Sequence, residues 1–534
     1  RLNGEAGFNL GHLNGEVTVT GSLAERNDGA GFALVGSTVE VTDSQSDFNG
    51  GDGWVIAPPT GAVSLVLANV MARGNGARGV SAASLGQEFG FATAAVTAVT
   101  IQNNANQGLL LLGQDITLDQ LTLEDNGGDG LTVLGQTVTV DRLSTARNVT
   151  GALILAGERV TIQNSSAVDN QDGGLGLAAS DGDTATATAS GLVATGNTAG
   201  GLFFGGLQDA TFASLDLVDL TVSNNTQFGV GGTALNVVVS QVTATDNEAF
   251  GVFLEGVESL DGSFISASGH TGIGINIGSD RQTRLTDSTA TANVAGIAVS
   301  GPRTALERVT ASLSGPDNGN LGSGSGFFFF NARDLEVVDA ISEQNLLGWT
   351  FLELQTQGPA SAAEALGLSP RWRPELSALT RIPGGQGAGP QAMQRITLET
   401  SSTLANQRGS LLALLSDGPS FRVSCSDFIG NGPDGFEPLT ANFFDARANY
   451  WGDAAGPTHP DNPGGAGDVV NDSAVGGLGL VNWAGFLTAP ATADDCPEAP
   501  VTEVPALGST GRILLILVIA AGAIHRLRRR TGGA

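Results

Sequence analysis

Lysine is missing from this chain: all 24 basic residues among its 534 are arginine. That excludes a phosphate-loop lysine, Schiff-base chemistry and any hydrolase or lyase built around a lysine. Histidine is nearly as scarce. His12, His270, His459 and His525 lie far apart with no His-Glu-x-x-His pair, and two cysteines, Cys425 and Cys496, are too few for a zinc cluster. The run from Gly322 to Gly326 puts Gly324 rather than a serine at its centre, so no Gly-x-Ser-x-Gly elbow stands there. Over the first 350 residues a long helical period is absent as well.

Positive charge is short overall. Asp and Glu number 53, all before residue 512, against 19 of the 24 arginines, so that part carries 19 − 53 = −34. Such a chain repels nucleic acid and anionic polysaccharide unless cations bridge them, and no nucleic-acid partner is expected. The excess also keeps a chain rich in Gly and Val soluble.

What is abundant is glycine, 78 residues, and a phrase that contains it. Asn, three variable residues, Gly and an apolar run recur from Asn27, Asn49, Asn75, Asn104, Asn126, Asn170, Asn197, Asn225, Asn247 and Asn431. From Asn104 through Asn126 and Asn148 to Asn170 the step is 22 residues each time, the mark of one supersecondary unit stacked on its neighbours. Between the Asn positions Leu131, Val133, Val138, Val140 and Leu143 alternate with Thr132, Thr137, Thr139 and Arg142, the period of strands with one buried face. Each unit is therefore expected to hold about three short strands separated by bends. Roughly 16 units stacked in parallel at about 4.8 Å give an all-β parallel β-helix on the order of 75 Å long, and the usual crossover rule makes it right-handed. Asn is expected at the bend because it tolerates a left-handed backbone and can bond to the Asn one coil away; Gly follows to allow a tight return. His270 takes the Asn place in one unit and is expected as a surface bend residue.

The pattern divides the chain. Regular units run over 1–354; residues 355–390, broken by Pro370, Pro374, Pro383 and Pro390, read as a projecting loop; further coils and a cap occupy 391–490. Residues 491–505 form a Pro- and acid-rich linker, and 506–534 an apolar segment with a basic tail.

The most specific string is Asn449-Tyr450-Trp451-Gly452-Asp453-Ala-Ala-Gly456-Pro457, followed downstream by Val481-Asn482-Trp483. It resembles an element near the C-terminal end of bacterial right-handed parallel β-helix proteins of the pectate-lyase-like superfamily. With the Asn-x3-Gly units, the resemblance covers about residues 1–490. It implies the fold and a place outside the cell, and no single activity; the Arg-x-Lys element of the polygalacturonase type is absent from a lysine-free chain. Tyr450, Trp451 and Trp483 are expected to close the open end of the rod, and their rings are also the candidates for stacking on a glycan.

The C-terminus points to export. Val504-Pro505-Ala506-Leu507, the apolar stretch from Ile513 to Ile524, and Arg526, Arg528, Arg529 and Arg530 resemble the PEP-CTERM class of C-terminal sorting signals, most nearly the IPTL-CTERM type, with Ala506 where that motif has Thr. The resemblance implies an apolar C-terminal helix, membrane contact through it, and a sorting protease or exosortase-like partner. Arginines after the apolar stretch place the rod outside the membrane. Residue 1 is Arg, and a signal peptide is expected to precede it. In an oxidising compartment a Cys425–Cys496 disulfide would tie the tail to the last coils.

The reading is thus an exported cell-envelope β-helix with a binding, adhesive or structural role, partnered by a surface glycan or another envelope component and needing no cofactor. The alternative is a carbohydrate-active β-helix, a polysaccharide lyase or epimerase using Ca²⁺. Its metal candidates are Asp52, Asp129 and Asp434, each just before a Gly, and Asp172 nearby in phase. Asp before Gly is equally what a bend selects. Arg281, Arg284 and Arg303 near Asp280 and Asp287 form the one local gathering of basic groups on the coils.

Overall fold

The computed structural model describes residues 6–59, 61–83, 90–180, 182, 184–206, 210–315, 324–330, 334–352, 395–406, 409–414, 420–432, 435–438, 444–470 and 481–491. The candidate loop at 355–390, Asp434, Cys496, the Val504 to Leu507 motif and the basic tail lie outside them. Residues 1–491 and 492–534 are separate units, and every described residue belongs to the first.

Alternating Val and Leu fold as the period requires. Leu131–Ala146 pairs in parallel with Leu109–Glu124 before it and Thr150–Gln163 after it, with Leu131 opposite Leu109 on one side and Ala152 on the other. The strand runs through all three straight segments of its coil: residues 131–135, 137–141 and 144–146. Repetition of this coil joins 37 strands into one continuous sheet wound into a parallel β-solenoid. Among the described residues there is no helix.

Inward positions stack into columns. One runs Leu109, Leu131, Ala152, Leu175, Leu202, Val230, Val252, Ile275 and Ile297 and on through Phe327 and Trp349, and none of these is more than 3 % exposed. Burying each such Leu, Val or Ile contributes about 1.5–3 kcal/mol. Aromatic rings stack along the same axis where the columns thicken: Phe32 on Trp54 at 3.9 Å, and Phe327 on Trp349 at 4.2 Å.

The Asn positions form an internal ladder. The Asn126 Oδ1 accepts from the Asn104 backbone amide at 3.2 Å and from its Nδ2 at 3.0 Å. The Asn126 Nδ2 in turn donates to Asn148 Oδ1 at 3.0 Å and to the Ile101 carbonyl at 3.2 Å. The same pattern links Asn27, Asn49 and Asn75 to Asn104, and Asn148 onward to Asn170, Asn197, Asn225 and Asn247. These amides are buried, from 0 to 7 % exposed, so the ladder satisfies backbone groups that no water reaches at the bend.

The left-handed residue at the bend is not the Asn but the one before it. Arg26, Phe48, Asn103, Asp125, Arg147 and Asp246 all have φ between 52 and 56. A second left-handed residue stands five positions earlier in every coil, from Gly21 with Arg26 to Cys425 with Gly430, and the pair recurs sixteen times. Asn is kept for its amide, while varied side chains bear the backbone conformation one residue away. The Gly of the phrase is also explained differently from the expected tight return. A Cβ on Gly130 would lie 2.6 Å from the Gly151 carbonyl and 2.8 Å from the Asn148 amide nitrogen, and one on Gly53 would lie 2.8 Å from that of Asn75. Gly is the residue over which the next coil's Asn packs.

His270 departs from the expectation of a surface bend. It is 2 % exposed and occupies a rung of the ladder. Its Nδ1 accepts from the Asn247 amide at 3.0 Å while its own amide donates to Asn293 Oδ1 at 3.0 Å. Burial holds its pKa below the usual histidine value, with the carbonyls of Asn247 and Ala244 opposing.

Candidate functional site

The acidic corner residues are used by the bends. Asp52 Oδ1 accepts from the Arg78 backbone amide at 2.8 Å, and Asp129 Oδ2 accepts from the Thr132 hydroxyl at 3.0 Å and from Gln107 Nε2 at 3.3 Å. Asp172 donates its backbone amide to the Val149 carbonyl at 2.7 Å. Asp129 and Asp172 are two coils apart, roughly 10 Å, so the fold does not gather them around one ion. Among the described residues no three His, Cys, Asp or Glu side chains stand together as ligands for a metal.

Arginines pair with carboxylates along the outside, some with two: Arg142 with Asp119 and Asp141, Arg147 with Asp125 and Glu124, Arg308 with Asp287 and Glu307. Arg147 meets Asp125 at 2.7 Å and Arg308 meets Asp287 at 2.6 Å, each joining left-handed residues of adjacent coils. The hydrogen bond and charge of Arg147 hold the Asp125 carboxyl below its usual value, and Arg308 does the same to Asp287. Arg281 turns to Glu258 at 3.6 Å and Arg284 to Glu307 at 3.4 Å, which Arg308 links to Asp287, while Arg303 donates to the Arg281 carbonyl at 3.4 Å. These pairs are exposed and each contributes little to stability.

In the end element almost every residue has a structural task. Asn449 closes the last corner, its Nδ2 donating to the Val423 and Ala446 carbonyls at 2.8 and 2.7 Å. Trp451 is 0 % exposed and stacks on Phe428 at 4.6 Å, which leaves neither face of its ring for a sugar. Gly452 and Gly456 have φ of 83 and 81, and a Cβ on Gly456 would meet the Phe486 ring at 2.6 Å. Asp453 Oδ1 accepts from the Ala455 amide at 2.7 Å. Tyr450 makes parallel backbone bridges to Asp427 and Leu487, and Trp483 leans on Phe486 with ring centroids 6.3 Å apart. Both are only partly buried. The three aromatics thus divide: Trp451 plugs the core, and Tyr450 and Trp483 keep some surface.

A carboxyl pair went unrecognised in the sequence. Glu255 closes the first strand of its coil and Asp280 follows the strand stacked on it, the Asp280 amide donating to the Gly256 carbonyl. Burial first, and then the charge of Asp280, push the Glu255 carboxyl up to about 7, and burial raises Asp280 as well. Glu255 and Asp280 are 25 residues apart in sequence, and no motif joins them; only the coil length, once known to a residue, could have placed them side by side.

Outward positions sort by strand. The second strand displays mainly hydroxyls and charges, as in Thr137, Thr139 and Asp141 stacked on Asp115, Thr117 and Asp119, with Val66, Ala95 and Val238 as interruptions. Thr186, Thr188 and Ser190 continue those rows beyond Arg159, Thr161 and Gln163. Cys425, 4 % exposed, sits at a left-handed corner and is not a free thiol.

The comparisons with known proteins agree with this architecture. Residues 89–230 match the family model described as "Right handed beta helix region". No curated protein matches the chain. The described chain is a parallel β-helix repeat protein, similar over residues 89–230 to the right-handed form of that fold.

Proposed function

We propose that this chain is an exported rod of the cell envelope that binds or scaffolds and does not catalyse. One observation carries the reading: over the four coils from Asp115 to Ser190 the second-strand face is an unbroken set of hydroxyl, amide and charged rows, such as Thr137 and Thr139 over Asp115 and Thr117. Flat hydroxyl rows offer evenly spaced donors and acceptors to a polymer lying along the rod. Partly exposed Tyr450 and Trp483 add rings at its end for a neutral sugar. The acidic surface favours neutral glycans or another envelope component over anionic polymers. Export is supported by the sequence from Val504 to Arg530 and by a chain whose two cysteines, Cys425 and Cys496, suit an oxidising compartment.

The second reading, a carbohydrate-active enzyme, is favoured by Glu255. A carboxyl raised to about 7 beside another carboxyl is the way a general acid is kept protonated near neutral pH. Incubating the purified chain with neutral and acidic polysaccharides separates the two. We expect retention without loss of polymer size; shortened chains with unsaturated ends, abolished by Glu255→Gln, would establish the enzyme instead.

A further inference from the structure

The first strand of each coil differs from the other two in what it turns outward. Its two outward columns hold Ala33 and Val35, then Val55 and Ala57, and later Leu110 and Leu112, Thr132 and Leu134, Leu153 and Leu155. Gly176 and Ala178 follow, then Phe203 and Gly205, then Gly231 and Thr233. From the coil of Phe32 to that of Phe228 neither column carries an ionisable side chain; the first is Glu255. In a chain with 53 acidic residues, whose second-strand face is charged at Asp115, Asp119, Asp141, Arg159 and Asp216, this is a mainly apolar strip, interrupted by Ser81, Thr132 and Thr233 and bordered by Arg78, which donates to Ser81 Oγ at 3.1 Å, and Asp129, which accepts from Thr132. Leu110, Leu112, Leu134, Leu153 and Leu155 are half-buried and Phe203 is 49 % exposed, whereas Ala178, Gly205 and Gly231 are buried.

We infer that this strip is a self-association face, covered by the same strip of a second copy. Two arguments choose that occupant. Nine coils at about 4.8 Å and a strand roughly 16 Å wide make close to 700 Å² per copy, so two copies bury about 1,400 Å², the size of a stable specific interface. Charge is the second. With a formal net charge of −29, two copies repel through their second-strand faces and corners, and the uncharged strip is where they approach without that cost. A two-fold axis across the strip puts the same columns on both sides, as an isologous dimer requires.

Sedimentation velocity of the full chain at about 10 µM, where a micromolar interface is substantially occupied, tests this. Wild type is expected as a dimer. The double variant Leu134→Glu/Leu155→Glu is expected as a monomer with an unchanged circular dichroism spectrum, and Thr139→Glu on the polar face as a dimer. Should the double variant misfold, Leu134→Cys serves: mild oxidation links two copies through it and does not through Thr139→Cys. A monomeric wild type, a double variant that stays dimeric, or equal crosslinking at both positions overturns the inference. So does flotation of monomeric wild type on phosphatidylcholine vesicles that the double variant loses, which would assign the strip to lipid.

Discussion

At the residue scale the buried Asn is the part least open to replacement. The Asn148 Oδ1 takes both donors of Asn126, and its Nδ2 donates to the Leu123 carbonyl at 2.8 Å. Asn148→Ala leaves these groups unpaired in a site closed to water, at about 1–3 kcal/mol for each group orphaned. We expect a loss of roughly 3 kcal/mol by urea denaturation, and a change under about 0.5 kcal/mol would show that water replaces the amide. The left-handed corners predict the reverse sign. Ala292 has φ 56, a conformation that costs an L-residue about 1–2 kcal/mol, so Ala292→Gly should stabilise by about 0.5–1 kcal/mol. Buried Ala290, two residues away and outside the left-handed set, should lose about 1 kcal/mol on the same change. If both variants lose stability, the corner strain does not exist. The Asn-x3-Gly phrase was legible as an architecture and its Asn as a ladder from coil to coil, but the left-handed backbone was assigned to the Asn and the Gly to a tight return, and both have other causes. Spacing reveals that a residue recurs, whereas only the neighbouring coil shows that Asn148 lies under Gly130.

At the element scale, stacked strands bring together residues that sequence separates. Glu255 and Asp280 meet because the strand Phe250–Ser268 pairs with Ile273–Ser279. Glu255 has its carboxyl pushed up to about 7, chiefly by burial. A group raised in the folded state holds its proton there and releases it on unfolding, so it adds stability below its unfolded pKa and withdraws it as pH rises towards 7. Glu255→Gln should therefore melt higher than wild type at pH 8 and match it at about pH 4.5. Equal differences at both pH values would mean that the carboxyl is ionised in the folded chain. Alternation identified which side chains of Leu131–Ala146 point inward, and those are the buried ones. The contrast between an apolar first-strand face and a polar second-strand face was present in the same residues, but became visible only when Leu134, Leu155 and Ala178 were aligned as one column.

At the scale of the whole molecule, the repeat gives a continuous core from Val17 to Val481, capped at its high-numbered end by Trp451. Location rests on the sequence. Deleting residues 513–534 is expected to release the chain from the membrane fraction of cells, and unchanged fractionation would refute the anchor. The amino-acid sequence by itself determined the coil: its length, its three strands and its inward columns, because a 22-residue period and two-residue alternation are local and repeat many times. It also identified the end element through Trp451, though not that this ring would be the buried plug among three candidates. Tertiary structure decided what depends on the next coil. It placed His270 inside the ladder, divided Asp52, Asp129 and Asp172 among separate bends, and joined Glu255 to Asp280. Those outcomes are set by contacts between residues some 22 to 30 positions apart, where a shift of one residue would turn every side chain to the opposite face.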